Sequence, residues 1–179
     1  MVTLPAAISP GRIEYMRSKP SAYGSRDLLL ADAGYTSYRE YLLSDRWYNL
    51  RACVLDTEYY CELCDSRASQ VHHIVYNHHT LFGELGHPGL SALCRRCHKW
   101  LEFSGRKKGS LEDAAHKMCW KLYRLGEPAR AREVLRIAGL PHRVKRYTCP
   151  MGDILNPHIS LLRKSRARAP MKRAKSKKG

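Results

Sequence analysis

The sequence predicts an α+β fold, mostly helical, gathered around a small centre rich in cysteine and histidine. Three observations carry that expectation. Two Cys-x-x-Cys pairs, Cys61/Cys64 and Cys94/Cys97, bracket 29 residues that also hold His72 and His73, and His98 directly follows the last cysteine. One stretch, residues 71–76, is rich in β-formers and alternates. Most of the remainder repeats its apolar residues at helical spacing behind recognisable caps.

Residues 1–24 are rich in Pro, Gly and Ser and read as an arm that is ordered only where it docks. Ser25 is placed to cap a short helix, RDLLLADA, closed by Gly34. Thr36 or Ser37 can cap YREYLL. Ser44 can cap DRWYNLRACVL, in which Trp47, Leu50 and Val54 share one face. Trp47 reads as a core anchor in preference to a base-stacking ring. Asp56, Thr57 and Glu58 suggest a turn, after which Tyr59 and Tyr60 deliver an extended chain to Cys61.

Residues 71–76 form the strand that carries His72 and His73. Residues 77–89, with Gly83, Gly86, Pro88 and Gly89, read as a loop. Residues 91–103 have helical spacing, with Leu93, Cys97, Trp100 and Leu101 on one side. Residues 105–109 are a basic turn. Ser110 and Asp113 resemble a capping box at the start of LEDAAHKMCWKLYRL, which runs to Gly126. Pro128 opens PARAREVLRIA, ended by Gly139. These two helices make a hairpin whose apolar face can dock on the centre, while Arg130, Arg132 and Arg136 face solvent or a nucleic acid. The chain thus divides into an arm (1–24), a cysteine-bearing module with its preceding helices (25–104), the helical hairpin (105–140) and a basic tail (141–179). The tail has little to bury and is expected to be largely disordered on its own.

The chain of 179 residues carries a formal net charge of +16. That charge sets no fold, but it favours a polyanionic partner, nucleic acid before a membrane surface. Residues 141–179 hold twelve Lys/Arg and one acid, Asp153. Seven cysteines, an odd number, with two tight pairs do not suit a secreted disulfide framework. The opening MVTLPAAISPGR lacks a basic start and a sustained apolar run, and no stretch approaches the length of a bilayer span. An intracellular, cytoplasmic protein without a membrane partner is expected. Oligomeric state is not legible.

Tetrahedral zinc held by four thiolates needs each pair to close a small loop around the ion, which Cys-x-x-Cys does. Structural zinc on Cys61, Cys64, Cys94 and Cys97 is preferred to a redox role, because two pairs of matching spacing are much rarer than one. Cys53 and Cys119 read as small core residues, and Cys149 has no assigned role. His72 and His73, adjacent on a strand, should point to opposite faces. One can hold a metal while the other handles a proton. His98 can face the same metal, with Glu102 at i+4 on its helical face. The other histidines read as surface or satisfied core residues, with His78 and His79 the first exceptions to consider.

VHHIVY followed by LCRRCHKWLE, framed by CELC and preceded by YLLSDRWYNLRACVL, resembles the HNH endonucleases of the ββα-metal (His-Me finger) fold in their four-cysteine, zinc-bearing form. The resemblance spans residues 38–102, a little over a third of the chain. It implies that His73 is the general base and that His72 and His98 bind the catalytic divalent ion. Glu102 stands where some relatives carry another ligand. One departure is clear: Gly89 stands where the motif has an asparagine that pins the loop and orients the base. Asn77, His78 or Glu84 are the candidates to replace it.

On this reading the chain hydrolyses phosphodiester bonds in duplex or branched DNA, as a nickase or a double-strand cutter. It would use one structural Zn and one catalytic divalent metal: Mg, Mn, Ni or Zn. His73, near its ordinary pKa, takes the proton of water. Arg163, Lys164, Arg166, Arg168, Lys172 and Arg173 in the tail add non-specific affinity by counterion release. The alternative is a catalytically weak or inactive zinc-containing module that binds nucleic acid. RNA binding through a basic tail is a third reading, without a stacking-platform motif to support it.

Overall fold

The computed structural model of the chain describes residues 14, 22–83, 87–142 and 147. Most of the expected arm, Glu84, Gly86, Cys149 and the whole stretch 151–179 lie outside the described residues. What is described is mixed α/β, mostly helical, with two small antiparallel sheets. Among the described residues, no helix is long and apolar enough to cross a membrane.

Helix α1 (Ala22–Asp32) begins three residues before Ser25. Ser25 therefore lies inside the first turn and is not its cap. A tertiary contact extends the helix: the Tyr23 hydroxyl donates to the Gly109 carbonyl (3.3 Å). Ser37 caps α2 (Tyr38–Leu42), its hydroxyl accepting from the Glu40 amide. Ser44 caps α3 (Asp45–Thr57) by accepting from the Trp47 amide. Trp47, Leu50 and Val54 are the buried stripe of α3, and Cys53, off that stripe, is half-exposed and not a core residue. The helix continues through Asp56 and Thr57, where the sequence suggests a turn. Thr57 donates its hydroxyl to the Cys53 and Val54 carbonyls and completes the last turn.

Strand β1 (Gln70–His73) pairs antiparallel with β2 (Leu90–Leu93), and His72 lies opposite Ser91. Residues 91–93 are thus strand, where the helical spacing places the start of a helix. The competing force is non-local: pairing with β1 satisfies backbone groups that a helix would leave at its buried end. Between the strands, α4 (His78–Phe82) replaces the expected loop. Helix α5 (Arg95–Glu102) follows β2, capped by Cys94. The expected basic turn is a β-hairpin, β3 (Phe103–Ser104) with β4 (Lys107–Lys108). Gly105 takes φ 64° at the first position of its two-residue turn, where such hairpins call for glycine.

The β1–β2 sheet separates two apolar clusters. On the α3 side lie Leu30, Tyr41, Trp47, Val71 and Leu90. On the α5 side lie the cysteines, Leu93, Leu101, Met118, Cys119 and Val134. Helices α6 (Leu111–Arg124) and α7 (Pro128–Ile137) form the hairpin that closes this second cluster. Helix α6 is buried continuously from Ala114 to Leu122 because α5 and α7 both pack on it. Ser110 caps it by accepting from the Asp113 amide, while the Asp113 carboxylate turns elsewhere. It accepts from Lys117 (2.9 Å), Ser104 (3.1 Å) and Tyr147 (3.0 Å).

Lys117 is 4% exposed. Its ammonium donates to the carbonyls of Trp100 (3.2 Å), Leu101 (3.4 Å) and Phe103 (3.1 Å). A buried cation thus satisfies the unpaired carbonyls at the end of α5, where the helix dipole also favours positive charge.

Candidate metal centres and the histidine strand

The first Cys-x-x-Cys pair sits in a tight turn. The Cys64 and Asp65 amides both donate to the Cys61 carbonyl (3.4 and 3.1 Å), and Asp65 takes a positive φ of 56°. The second pair opens α5, with Cys94 at the cap and Cys97 three residues on. Two amides aim at sulfur: Leu63 at Cys61 Sγ and Cys97 at Cys94 Sγ, both 3.4 Å. Such donors, and the positive end of α5, favour thiolates.

All four sulfurs lie within 4.8 Å of one another, the Cys64–Cys94 pair at 3.6 Å, and none is in a disulfide. Zn–S bonds of about 2.3 Å in a tetrahedron require sulfurs about 3.8 Å apart. The set therefore fits zinc in number, type and spacing. The protonation pattern agrees. Hydrogen bonds from Cys61 and Cys97 push the Cys64 thiol well down. Donating to Cys64 pushes Cys61 up to about 12, and Cys97 is raised by its bonds to Cys61 and Cys64. A divalent cation among these crowded sulfurs would favour their thiolate forms.

A second group lies on the same side of β1. One ligand atom each from His72, His98 and Glu102 fall within 4.8 Å of one another. The His72 and His98 rings meet edge to face at 5.5 Å, and His98 Nδ1 is 3.8 Å from Glu102 Oε2. His72 is buried, while the side chains of His98 and Glu102 are 21% and 31% exposed. The group is closed by protein on one side and open on the other. Burial lowers the His72 pKa to about 3, with His98 and His73 adding to the effect. Burial also lowers His98, against the pull of Glu102. Both shifts favour the neutral imidazole, the form that ligates a metal.

His73 faces the other cluster. Its ring is stacked on Trp47 (5.0 Å, 25° between planes) and lies 5.1 Å from Tyr76. The Thr80 backbone hydrogen-bonds the side chain, and Nε2 is buried with no hydrogen-bond partner in the protein. His73 does not keep the ordinary pKa expected from the sequence. Burial lowers it to about 3, Thr80 opposing and Arg26 adding to the fall. The ring is held neutral, but a proton placed on it in this setting is poorly stabilised.

Thr80 is fixed in turn by the loop. Asn77 caps α4 in a reciprocal capping box: its side chain accepts from the Thr80 amide (2.9 Å), and its amide donates to the Thr80 hydroxyl (3.1 Å). That hydroxyl donates to the Val75 carbonyl (2.8 Å). Of the three candidates to replace the motif's asparagine, Asn77 organises this loop, His78 is exposed and Glu84 lies outside the described residues. Gly89 has no room for a side chain, since a Cβ there would lie 2.7 Å from Thr80 Cγ2 and 2.9 Å from His87 Nδ1.

The basic residues expected to meet nucleic acid divide simply. Arg130 is an internal strut, bonded to Glu62 (2.6 Å) and Glu133 (2.9 Å) and to the Pro88 carbonyl. Arg132 is exposed, and Arg136 lies 4.0 Å from Glu133. Arg163, Lys164, Arg166, Arg168, Lys172 and Arg173 lie outside the described residues. Two residues that matter here, Thr80 and Lys117, do not stand out in the sequence. A threonine three residues after an asparagine is a visible cap signal for the first; a buried lysine leaves no pattern for the second. Compared with known proteins, the chain matches no family model, no curated protein and no solved structure.

Proposed function

We propose that the chain is a metal-dependent DNA endonuclease of HNH type, with a ββα-metal centre in β1, β2 and α5 and structural zinc on the four cysteines. The observation that carries this reading is the division of labour on β1. His72 joins His98 and Glu102 in a ligand set, while its neighbour His73 is stacked on Trp47 and tilted against Tyr76, with one ring nitrogen buried without a hydrogen-bond partner.

His72, His98 and Glu102 would hold a divalent ion (Mg, Mn, Ni or Zn), which would supply neutralisation of the scissile phosphate and of the leaving oxygen. His73 would take the proton of the attacking water at Nε2, which is buried in the free protein and has to be opened to water when substrate binds. Trp47, Tyr76 and the Thr80 backbone hold its ring in one orientation, which limits the entropy lost on reaching the reactive geometry. The low basicity of His73 is matched by its substrate: a phosphate beside the ring stabilises the imidazolium and raises its pKa toward the working range.

The test is plasmid and branched-DNA cleavage with each divalent ion in turn, by the parent and by His73→Ala. The parent should cut or nick, and the variant should lose roughly 10²–10⁴-fold in rate while retaining zinc and fold. A parent inactive with every ion, or a variant as active as the parent, overturns the nuclease reading and leaves a zinc module that binds nucleic acid.

A further inference from the structure

We infer that the exposed arc of α5 and the β3–β4 hairpin form a docking surface for the phosphate backbone of duplex DNA, beside the His72–His98–Glu102 group. The assignment of that group as catalytic rests on the nuclease reading; the docking surface itself does not.

The helical geometry is the starting point. At 100° per residue, Cys97, Trp100 and Leu101 occupy the buried side of α5. The remaining arc runs from His98 through Glu102, Arg95 and Lys99 to Arg96. The two candidate ligands on α5 therefore share one face with Arg95 and Lys99, both exposed. The hairpin continues the surface. It starts at Phe103, immediately after Glu102, and returns to it through the bond from the Gly109 amide to the Glu102 carbonyl (2.7 Å). Arg106, Lys107 and Lys108 on this hairpin are exposed, and Lys108 is close enough to His98 to lower its pKa.

None of Arg95, Arg96, Lys99, Arg106, Lys107 and Lys108 is in an ion pair among the described residues. Lys108 lies 5.2 Å over the Tyr23 ring, and cations without a carboxylate partner on a short, anchored hairpin suit a polyanion. Among the described residues the exposed large apolar side chains are Leu42, Leu43, Tyr48, Tyr59 and Tyr60, none of them on α5 or the hairpin, where Phe103 is half-buried. With no fully exposed aromatic ring on this surface on which to stack bases, recognition falls to the backbone, and a duplex presents the denser row of phosphates.

The experiment measures binding of the full chain to labelled duplex and single-stranded DNA across a range of KCl. Every protein carries His73→Ala, so that binding is read without cleavage. Removing three phosphate contacts with R106Q/K107Q/K108Q should make the slope of log K against log salt shallower by about 2–3. Zinc content and the unfolding midpoint should match the parent. A second variant, R95Q/K99Q, should reduce the slope by about 2 and guards against a defect in the hairpin itself. An unchanged duplex slope in both variants overturns the proposal, as does a loss confined to single strands. A shallower slope supports the surface even if the parent never cleaves. Cleavage by the parent with unchanged slopes removes the surface and leaves the nuclease reading standing.

Discussion

Lys117 and Gly89 are the residues where single atoms carry the largest consequences. Replacing Lys117 by Met keeps the length of the side chain but leaves three carbonyls of the α5 terminus without their donor. We expect a loss of about 2–3 kcal/mol, measurable by chemical denaturation. Its partner Asp113 makes the effect pH-dependent. Burial alone would raise that carboxyl, but bonds and charge from Lys117, with Tyr147 and Ser104, hold it below its ordinary value of 3.8. A depressed carboxylate stabilises the fold above its unfolded pKa and ceases to do so as pH falls through the folded one. The gap in unfolding midpoint between the parent and Asp113→Asn should therefore be constant from neutrality down to that region and narrow below 3.8. At Gly89, restoring the motif residue should harm the protein. Gly89→Asn drives a Cβ into Thr80, which is fully buried, so a loss of about 1–3 kcal/mol is expected. On the nuclease reading, lower cleavage should accompany it, because the Thr80 backbone hydrogen-bonds His73.

At the scale of elements, α4 is the short piece with the longest reach, since its cap fixes Thr80 and Thr80 fixes His73. Asn77→Ala should cost about 1 kcal/mol in stability. On the nuclease reading it should also lower kcat with little change in KM, because it loosens the base and not the binding surface. An equal fall in both would argue against that chain of contacts. The same region shows what a sequence conveys and what it does not. The cysteine pairs are legible because ligand spacing is local: a turn at Cys61–Cys64 and a helix start at Cys94–Cys97. The caps at Ser37, Ser44 and Ser110 are legible for the same reason. Strand β2 is not. Its four residues, LSAL, fit the helical spacing of Trp100 and Leu101, and only pairing with residues 70–73 decides against it. The β3–β4 hairpin escapes notice because two residues per strand are too few to alternate. The opposed faces of His72 and His73 follow from strand geometry alone, whereas the depth of their burial depends on α3 and α5.

For the molecule as a whole, the four sulfurs lie in the same cluster as the buried faces of α5, α6 and α7. Zinc there would join the Cys61 turn, α5 and, through packing, the helical hairpin. Structural zinc contributes on the order of 10 kcal/mol in small modules, comparable to the entire stability of a domain this size. A strong chelator should therefore abolish cooperative unfolding and not merely lower its midpoint. Loss of helical signal that tracks release of one zinc per chain would check this; an unchanged melt after complete zinc removal would refute it. If the His72–His98–Glu102 group holds an ion, as the nuclease reading requires, weak chelation that removes that ion alone should leave the melt nearly intact.

The stacking of Trp47 on His73 supplies the protein with an optical probe of its own. A protonated imidazole quenches indole emission far more than a neutral one, so the brightness of Trp47 follows the charge on its neighbour. The other two tryptophans, Trp100 and Trp120, lie together in the opposite cluster. With both changed to Phe, Trp47 becomes a lone tryptophan beside the His73 ring. Titrating that protein with DNA in the presence of a divalent ion would reveal, without label or turnover, whether substrate draws a proton onto the ring.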